Sequence, residues 1–196
     1  MEEINLGKGS KILYKRKLVE ENESKEMYKI LLENEIEWEK REIKIYGKTF
    51  DQPRLISYMA SDCELKYKYS GLKLEPKEFT PTVKKIKELV EKESGASFNS
   101  CLLNLYRDGR DHVSWHSDNE KEYGNEPTIA SFTLGAERDF ILKEKLNNNN
   151  KVKIKLENGS LLIMTGKTQD DWLHQIPKRA GVNTGRINIT FRKVIQ

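Results

Sequence analysis

The sequence predicts a mainly β protein with flanking helices, of the α+β class. Two observations carry this. About eight short strand-like runs, separated by turn signals, follow one another over roughly the last 95 residues. Ahead of them lie charged stretches with helical periodicity. Short strands in such a series read as an antiparallel sandwich or a jelly roll.

The elements follow in order. In "SKEMYKILLENEIEW", Met27, Ile30, Leu31 and Ile36 recur at helical spacing. A second helix is expected after Thr80, which can cap it, with Pro81 in its first turn. Its stripe is Val83, Ile86, Leu89 and Val90, and Gly95 ends it. The strand-like runs are then "SCLLNLYR", "HVSWH", "TIASFTLG", "RDFILKE", "KVKIKLE", "SLLIMTG", "WLHQI" and "RINITFRKV". "KVKIKL" alternates strictly, as a half-exposed strand does. Asn147 to Asn150, the one low-complexity tract, reads as a polar hairpin loop between two strands. There are no internal repeats.

At 196 residues the chain suits one large domain, or a domain with an N-terminal elaboration. Apolar residues make up 36% and charged residues 34%, the balance of a soluble, rather polar protein. A net charge of +4 and a pI near 8.8 are compatible with nucleic acid without pointing to it. Cys63 and Cys101 are isolated, so neither a disulfide framework nor zinc spacing is present. That fits an intracellular, reducing compartment, cytoplasmic or nuclear; no basic import cluster separates the two. The start lacks the apolar run of a signal peptide, and no segment approaches the ~20 apolar residues of a membrane span.

One stretch concentrates chemistry: "NLYRDGRDHVSWHSDNE" holds two of the three histidines. On a strand, His116 and Asp118 would share a face, with Cα atoms roughly 7 Å apart. Their side chains could converge on one ion; they could equally form a polar surface strand. His112 shares that face but lies roughly 13 Å from His116 on a straight strand, too far for a third ligand. The remaining histidine, His174, can be brought close only by folding. Two histidines and a carboxylate with open positions are the ligand set of non-haem Fe(II) oxygenases.

In "RINITFR", Arg186, Asn188, Thr190 and Arg192 alternate with Ile187, Ile189 and Phe191. If the polar face meets solvent, this is an ordinary edge strand. If it points into a barrel, two buried guanidiniums need anionic partners. A small dicarboxylate such as 2-oxoglutarate would satisfy both.

H-x-D, a distant His and R-x-N-[LI]-T-F-R near the C-terminus together resemble the AlkB family of Fe(II)/2-oxoglutarate-dependent dioxygenases. The likeness is to the animal homologues that repair alkylated DNA and RNA. It runs over roughly residues 40 to 196, through "FNSCLLNLYRDGRDHVSWHSDNE", "TIASFTLGAERDFIL", "GSLLIMTGKTQDDWLHQIPK" and "GRINITFR", and more weakly upstream through "IYGKTFDQPRLISY" and "YKYSGLKLEP". The resemblance implies a double-stranded β-helix (jelly roll) core at 99–196. It also implies a nucleotide-recognition segment with a supporting helix at 39–98. Residues 1–38 form an N-terminal helical extension without a counterpart.

The resemblance makes His116, Asp118 and His174 the catalytic iron ligands. Arg192 would pair the keto-acid carboxylate near the metal, and Arg186 the distal carboxylate. Asn104 and Tyr106 would hydrogen-bond the co-substrate, with Asn188 and Thr190 lining the same face. Tyr67 and Tyr69 would hold a flipped base by stacking. Glu120 would contact its exocyclic amino group. Asn119 departs from the family, since close animal relatives carry Asp there. Tyr46 aligns with a phenylalanine wedge of the duplex-acting homologue. Trp115 instead matches the homologue that prefers single strands.

The implied activity is oxidative demethylation of 1-methyladenine and 3-methylcytosine in DNA or RNA. Fe(II), O2 and 2-oxoglutarate are consumed or used, and succinate, CO2 and formaldehyde released. The expected partner is methylated nucleic acid, with no membrane and a monomeric enzyme. Two alternatives stand beside this: a 2-oxoglutarate-dependent hydroxylase of protein side chains, and a catalytically silent nucleic-acid-binding jelly roll.

Overall fold

The computed structural model describes residues 1–45, 48–65, 67–69 and 72–195; at 43–45, 48–49, 67–69 and 72–73 it describes backbone alone. The chain opens with a hairpin, β1 (Glu2–Gly7) and β2 (Ser10–Lys15), followed by α1 (Glu21–Ile30) and a π-type turn at Leu31–Glu35. Two short hairpins follow around a longer strand: β3 (Glu42–Ile45) with β4 (Lys48–Asp51), then β5 (Leu55–Ala60), then β6 (Tyr67–Tyr69) with β7 (Leu72–Leu74). α2 (Pro81–Ser94) leads into β8 (Ser100–Tyr106), β9 (Val113–His116), β10 (Ile129–Gly135), β11 (Arg138–Glu144), β12 (Lys151–Leu156) and β13 (Leu161–Gly166). The one-turn helix α3 (Thr168–Asp171), β14 (Trp172–Ile176) and β15 (Arg186–Arg192) complete the chain.

All eight strands expected after residue 98 form. They close into two facing antiparallel sheets. The major sheet runs β1-β2-β13-β10-β15-β8-β5 and the minor sheet β12-β11-β14-β9. This is the jelly roll, and it removes the edge-strand reading of "RINITFR": β15 lies between β10 and β8, paired on both sides.

Period-two alternation then sorts the side chains of β15. Ile187, Ile189 and Phe191 join Val83, Ile86, Val90, Met27 and Leu31 in the core between the major sheet and the helices. Arg186, Asn188, Thr190 and Arg192 face the other way, between the sheets, and are also buried. There they share the interior with an apolar cluster that includes Ile12, Ile129, Phe140, Leu142, Met164 and Trp172. Fully burying such a side chain stabilises by about 1.5–3 kcal/mol. The apolar layers on both sides thus hold a strand whose polar face could not support itself.

Two local expectations are corrected. The N-terminal segment is only partly helical: residues 2–15 form a hairpin that extends the major sheet, β2 pairing with β13. Ser10, Ile12 and Tyr14 face inward, alternating with more exposed neighbours. Thr80 does not cap α2 with its side chain. Instead Glu35, from the π-type turn, accepts from the Thr82 backbone N–H at 3.1 Å and from its hydroxyl at 2.8 Å. A carboxylate is the stronger partner for a helix N-terminus, because it answers both the orphan N–H and the helix dipole. The other end is as expected, with Gly95 in the left-handed region at φ 67°. Asn147–Asn150 lie in the hairpin loop between β11 and β12. No helix among the described residues is long and apolar enough to cross a membrane.

Candidate metal centre and co-substrate pocket

β9 and β14 are neighbours in the minor sheet, and their register places His116 directly opposite His174. The two imidazole centroids are 4.2 Å apart. Asp118 does not share the strand with His116, as a straight strand would have it. β9 ends at His116, and Asp118 lies in the loop beyond. The turn of the chain brings its Oδ1 to 3.8 Å from His116 Nε2. Ligand atoms of His116, Asp118 and His174 all lie within 4.8 Å of one another. His112 is elsewhere, its ring against the Arg110 carbonyl.

His116 and Asp118 are each held by a further hydrogen bond. His116 Nδ1 is 2.8 Å from the Ser114 carbonyl, which leaves Nε2 to face the cluster. The Asp118 backbone N–H donates to Gln169 Oε1 at 2.9 Å. Gln169 is buried, and its own amide donates to Met164 Sδ. Arg192 Nη2 donates to Asp118 Oδ2 at 2.8 Å. Asp118 Oδ1 is buried with no hydrogen-bond partner. A buried carboxylate oxygen aimed between two imidazoles is a cation ligand in wait.

The electrostatics agree. Burial alone would raise the Asp118 carboxyl, but Arg192 and the two histidines outweigh it and hold the group well below the usual carboxylate range. Burial, reinforced by His116, pushes His174 down to about 3. Burial likewise lowers His116. Two neutral imidazoles and an ionised carboxylate are the protonation states that bind a divalent metal. Two nitrogens and one carboxylate suit Fe(II).

The pocket around this cluster is lined by Asn104, Tyr106, Arg186, Asn188, Thr190 and Arg192, all buried. Cross-strand pairing builds the lining: Arg186 opposes Tyr106, and Asn188 opposes Asn104. Asn188 Nδ2 donates to Ser131 Oγ at 2.7 Å, and Thr190 Oγ1 to Asn188 Oδ1 at 3.1 Å. Arg186 Nη2 donates to Thr133 Oγ1 at 2.9 Å, while its Nε and Nη1 are buried without a hydrogen-bond partner. Burial and the neighbouring Arg138 lower Arg186 to about 10, against the pull of Tyr106. Unsatisfied guanidinium donors at one end and an unsatisfied carboxylate oxygen at the other fit an anion and a cation respectively. Each such group, left alone, costs about 1–3 kcal/mol or more.

Of the expected substrate residues whose side chains are described, Asn119 and Glu120, neither is in this lining. Asn119 is exposed and Glu120 half-buried, just beyond Asp118. Tyr67 and Tyr69 lie on β6, where backbone alone is described, and Tyr46 lies outside the described residues. Trp115 points away from the histidines, with Lys143 Nζ 4.5 Å from its ring centroid.

Three residues escape the sequence reading. Arg54 is buried in the pocket wall and its Nε donates to Asn104 Oδ1 at 2.7 Å. "LISYMA" has no alternation that would flag the arginine just ahead of it. Gln169 carries no motif. Arg138 did leave a signal: in "RDFILKE" it is in phase with Phe140 and Leu142, the buried face of β11.

Comparison with known proteins agrees with this geometry. The family model of the 2OG-Fe(II) oxygenase superfamily matches residues 11–192. It therefore includes residues 11–38, for which the motifs alone give no counterpart. The Arabidopsis thaliana DNA oxidative demethylase ALKBH2 is 36% identical over 219 aligned positions, 98% of this chain and 69% of that protein. The human alpha-ketoglutarate-dependent dioxygenase alkB homolog 3 is 41% identical over 155, covering 74% of this chain and 53% of that one. The chain thus spans between about half and about two-thirds of these relatives' length. The solved structure of OsALKBH1 superposes with a TM-score of 0.68 at 15% identity, over 98% of this chain and 100% of that one, a likeness of fold. On its sequence, its fold and its two-histidine, one-carboxylate centre, the chain belongs to the AlkB family of the 2OG-Fe(II) oxygenase superfamily.

Proposed function

We propose that the protein is an oxidative demethylase of N-alkylated bases in DNA or RNA, acting on 1-methyladenine and 3-methylcytosine. The single observation that carries the reading is one buried pocket that holds the His116–Asp118–His174 cluster and two inward arginines of β15. Relatives named DNA oxidative demethylase and alkB homolog support the choice of substrate class. In this reading 39–98 is the nucleotide-recognition segment and 99–196 the catalytic core.

His116, Asp118 and His174 would hold Fe(II), and Arg186 the distal carboxylate of 2-oxoglutarate. Bound iron with 2-oxoglutarate and O2 supplies the oxidising equivalent for hydroxylating an N-methyl group, with succinate and CO2 as co-products. The hydroxymethyl group then leaves as formaldehyde and the base is restored. The chain's own residues do the rest. Arg192 keeps Asp118 ionised and fixed at 2.8 Å. Gln169 fixes the backbone of Asp118. Tyr106, Asn104 and Asn188 shape the co-substrate end of the pocket. Glu120, next to the cluster, would offer a carboxylate to a cationic methylated base, and Tyr67 and Tyr69 would stack on it. Asn119 in place of the acid found in close relatives would alter base preference.

The test is demethylation of both lesions in matched single-stranded DNA, duplex DNA and RNA. Loss of methyl from at least one, dependent on 2-oxoglutarate, is expected. Succinate formation without methyl loss from any would move the substrate to protein side chains. No turnover and no co-substrate binding would make the fold a silent binding module.

A further inference from the structure

Arg138 is a further buried guanidinium, beside the pocket rather than in its lining, and no motif accounts for it. It is 1% exposed, as is Arg186. Both lie over the ring of Tyr106, Arg138 at 5.6 Å and Arg186 at 5.1 Å from its centroid. Tyr106 and Arg186 line the pocket; Arg138 does not. It stands behind them.

What holds Arg138 is backbone. Nη1 donates to the Asp108 carbonyl, and Nη2 to the carbonyls of Asp111 and Pro177. The first two belong to the turn that leads into His116, the third to the exit from the strand of His174. That turn and that exit are also zipped directly. Gly109 N–H donates to the Val182 carbonyl and Arg179 N–H to the Gly109 carbonyl, each at 2.8 Å. A Cβ on Gly109 would meet the Arg179 carbonyl oxygen at 1.9 Å, so only glycine permits the approach.

The nearby acids are engaged elsewhere: Asp111 with Arg107, Asp108 with Arg110, Asp139 with Arg179. Among the described residues no carboxylate pairs with Arg138. Carbonyls take its two Nη groups and its Nε is buried without a hydrogen-bond partner, while Asp111 and Asp108 act on its charge only through space. A buried cation with no carboxylate in contact is costly, and apolar packing with a hydrogen-bonding side chain could have held the same turns. Its charge instead adds to that of Arg186 in a low-dielectric wall, where screening is weak.

We propose that Arg138 is a specificity-determining residue that never touches the co-substrate: from behind Tyr106 it biases the pocket toward a dianionic 2-oxo acid over a monoanionic one. This rests on the reading of the pocket as a 2-oxoglutarate site. It adds a second arginine, remote from the ligand, to the selection of the distal carboxylate.

The experiment measures binding by calorimetry to Mn(II)-loaded protein, which does not turn over. Ligands are 2-oxoglutarate and 2-oxobutyrate, which lacks the distal carboxylate. In Arg138→Gln, which keeps amide donors for the carbonyls, the 2-oxoglutarate Kd should rise about tenfold while that of 2-oxobutyrate changes less than about twofold. Arg138→Lys should recover most of the loss. Mn(II) affinity and thermal midpoint report the turns separately, and both should stay near wild type in Arg138→Lys. Equal weakening of both acids would reduce Arg138 to a structural tie and overturn the proposal, as would unchanged affinity for both. Wild-type protein that binds Mn(II) but no 2-oxoglutarate would instead overturn the pocket reading itself, and the proposal with it.

Discussion

Arg192 Nη2 donates to Asp118 Oδ2 at 2.8 Å, with both side chains buried and 74 residues apart in sequence. The bond links the last arginine of "RINITFR" to the carboxylate of H-x-D. It ionises the carboxylate, fixes one oxygen and leaves the other facing the histidines. By resemblance Arg192 was expected to pair the co-substrate's keto-acid carboxylate; its bond to Asp118 places it at the metal end of the pocket in any case.

Removing that arginine strands a buried carboxylate. Arg192→Met should destabilise the metal-free protein by about 3–5 kcal/mol, the usual cost of breaking one side of a buried pair. Urea unfolding measures it. A loss under about 1 kcal/mol would mean that Asp118 is charged and held by other means.

Gln169 should matter to metal affinity more than to folding. Its side chain anchors the Asp118 N–H, and it lies on the short helix that runs into the strand of His174. Gln169→Ala should weaken Mn(II) or Fe(II) binding about 10–100-fold, as loss of a supporting contact typically does. Far-UV circular dichroism should be unchanged. Wild-type metal affinity in the variant would contradict the anchoring role.

Acid should unfold the metal-free protein through His174. In the folded state its proton affinity is lowered to about 3 from the ordinary 6.5. Between those values the unfolded chain takes a proton that the folded chain refuses, so stability rises with pH in that window. It is fully present above 6.5 and is lost as pH falls toward about 3. Thermal midpoints across this range should fall on acidification, and His174→Gln should flatten the slope. An unaltered slope would show that the imidazole is not the titrating group.

The ligands themselves give a direct spectroscopic test. Anaerobic Fe(II) and 2-oxoglutarate should produce a metal-to-ligand charge-transfer band in wild type. It should vanish in His116→Ala and in Asp118→Asn. A band of equal strength in either variant would remove that residue from the ligand set.

Much of this was legible in the sequence because it is carried by period-two alternation. The eight strands from Ser100 onward form as their patterns require. The polar face of "RINITFR" could be read as a unit, and pairing with β8 brings Arg186 to Tyr106 and Asn188 to Asn104. What failed depended on contacts between segments. Asp118 leaves its strand because Gln169 and Arg192, from elsewhere in the chain, hold it. Thr80 yields its cap to Glu35 for the same reason. No pattern marks Arg54, and only the closure of β5 onto β8 buries it beside Asn104. The N-terminal hairpin did carry a period-two signal at Ile12 and Tyr14, but a dense run of charges masked it.

The central claim is that this pocket couples 2-oxoglutarate turnover to the loss of a methyl group from a nucleic-acid base. Mass spectrometry of an oligonucleotide bearing 1-methyladenine or 3-methylcytosine, with succinate counted in the same reaction, measures both at once. One methyl lost per succinate formed, abolished in His116→Ala and Arg186→Met, is the predicted result. Succinate formed while every methyl remains on the oligonucleotide would contradict it.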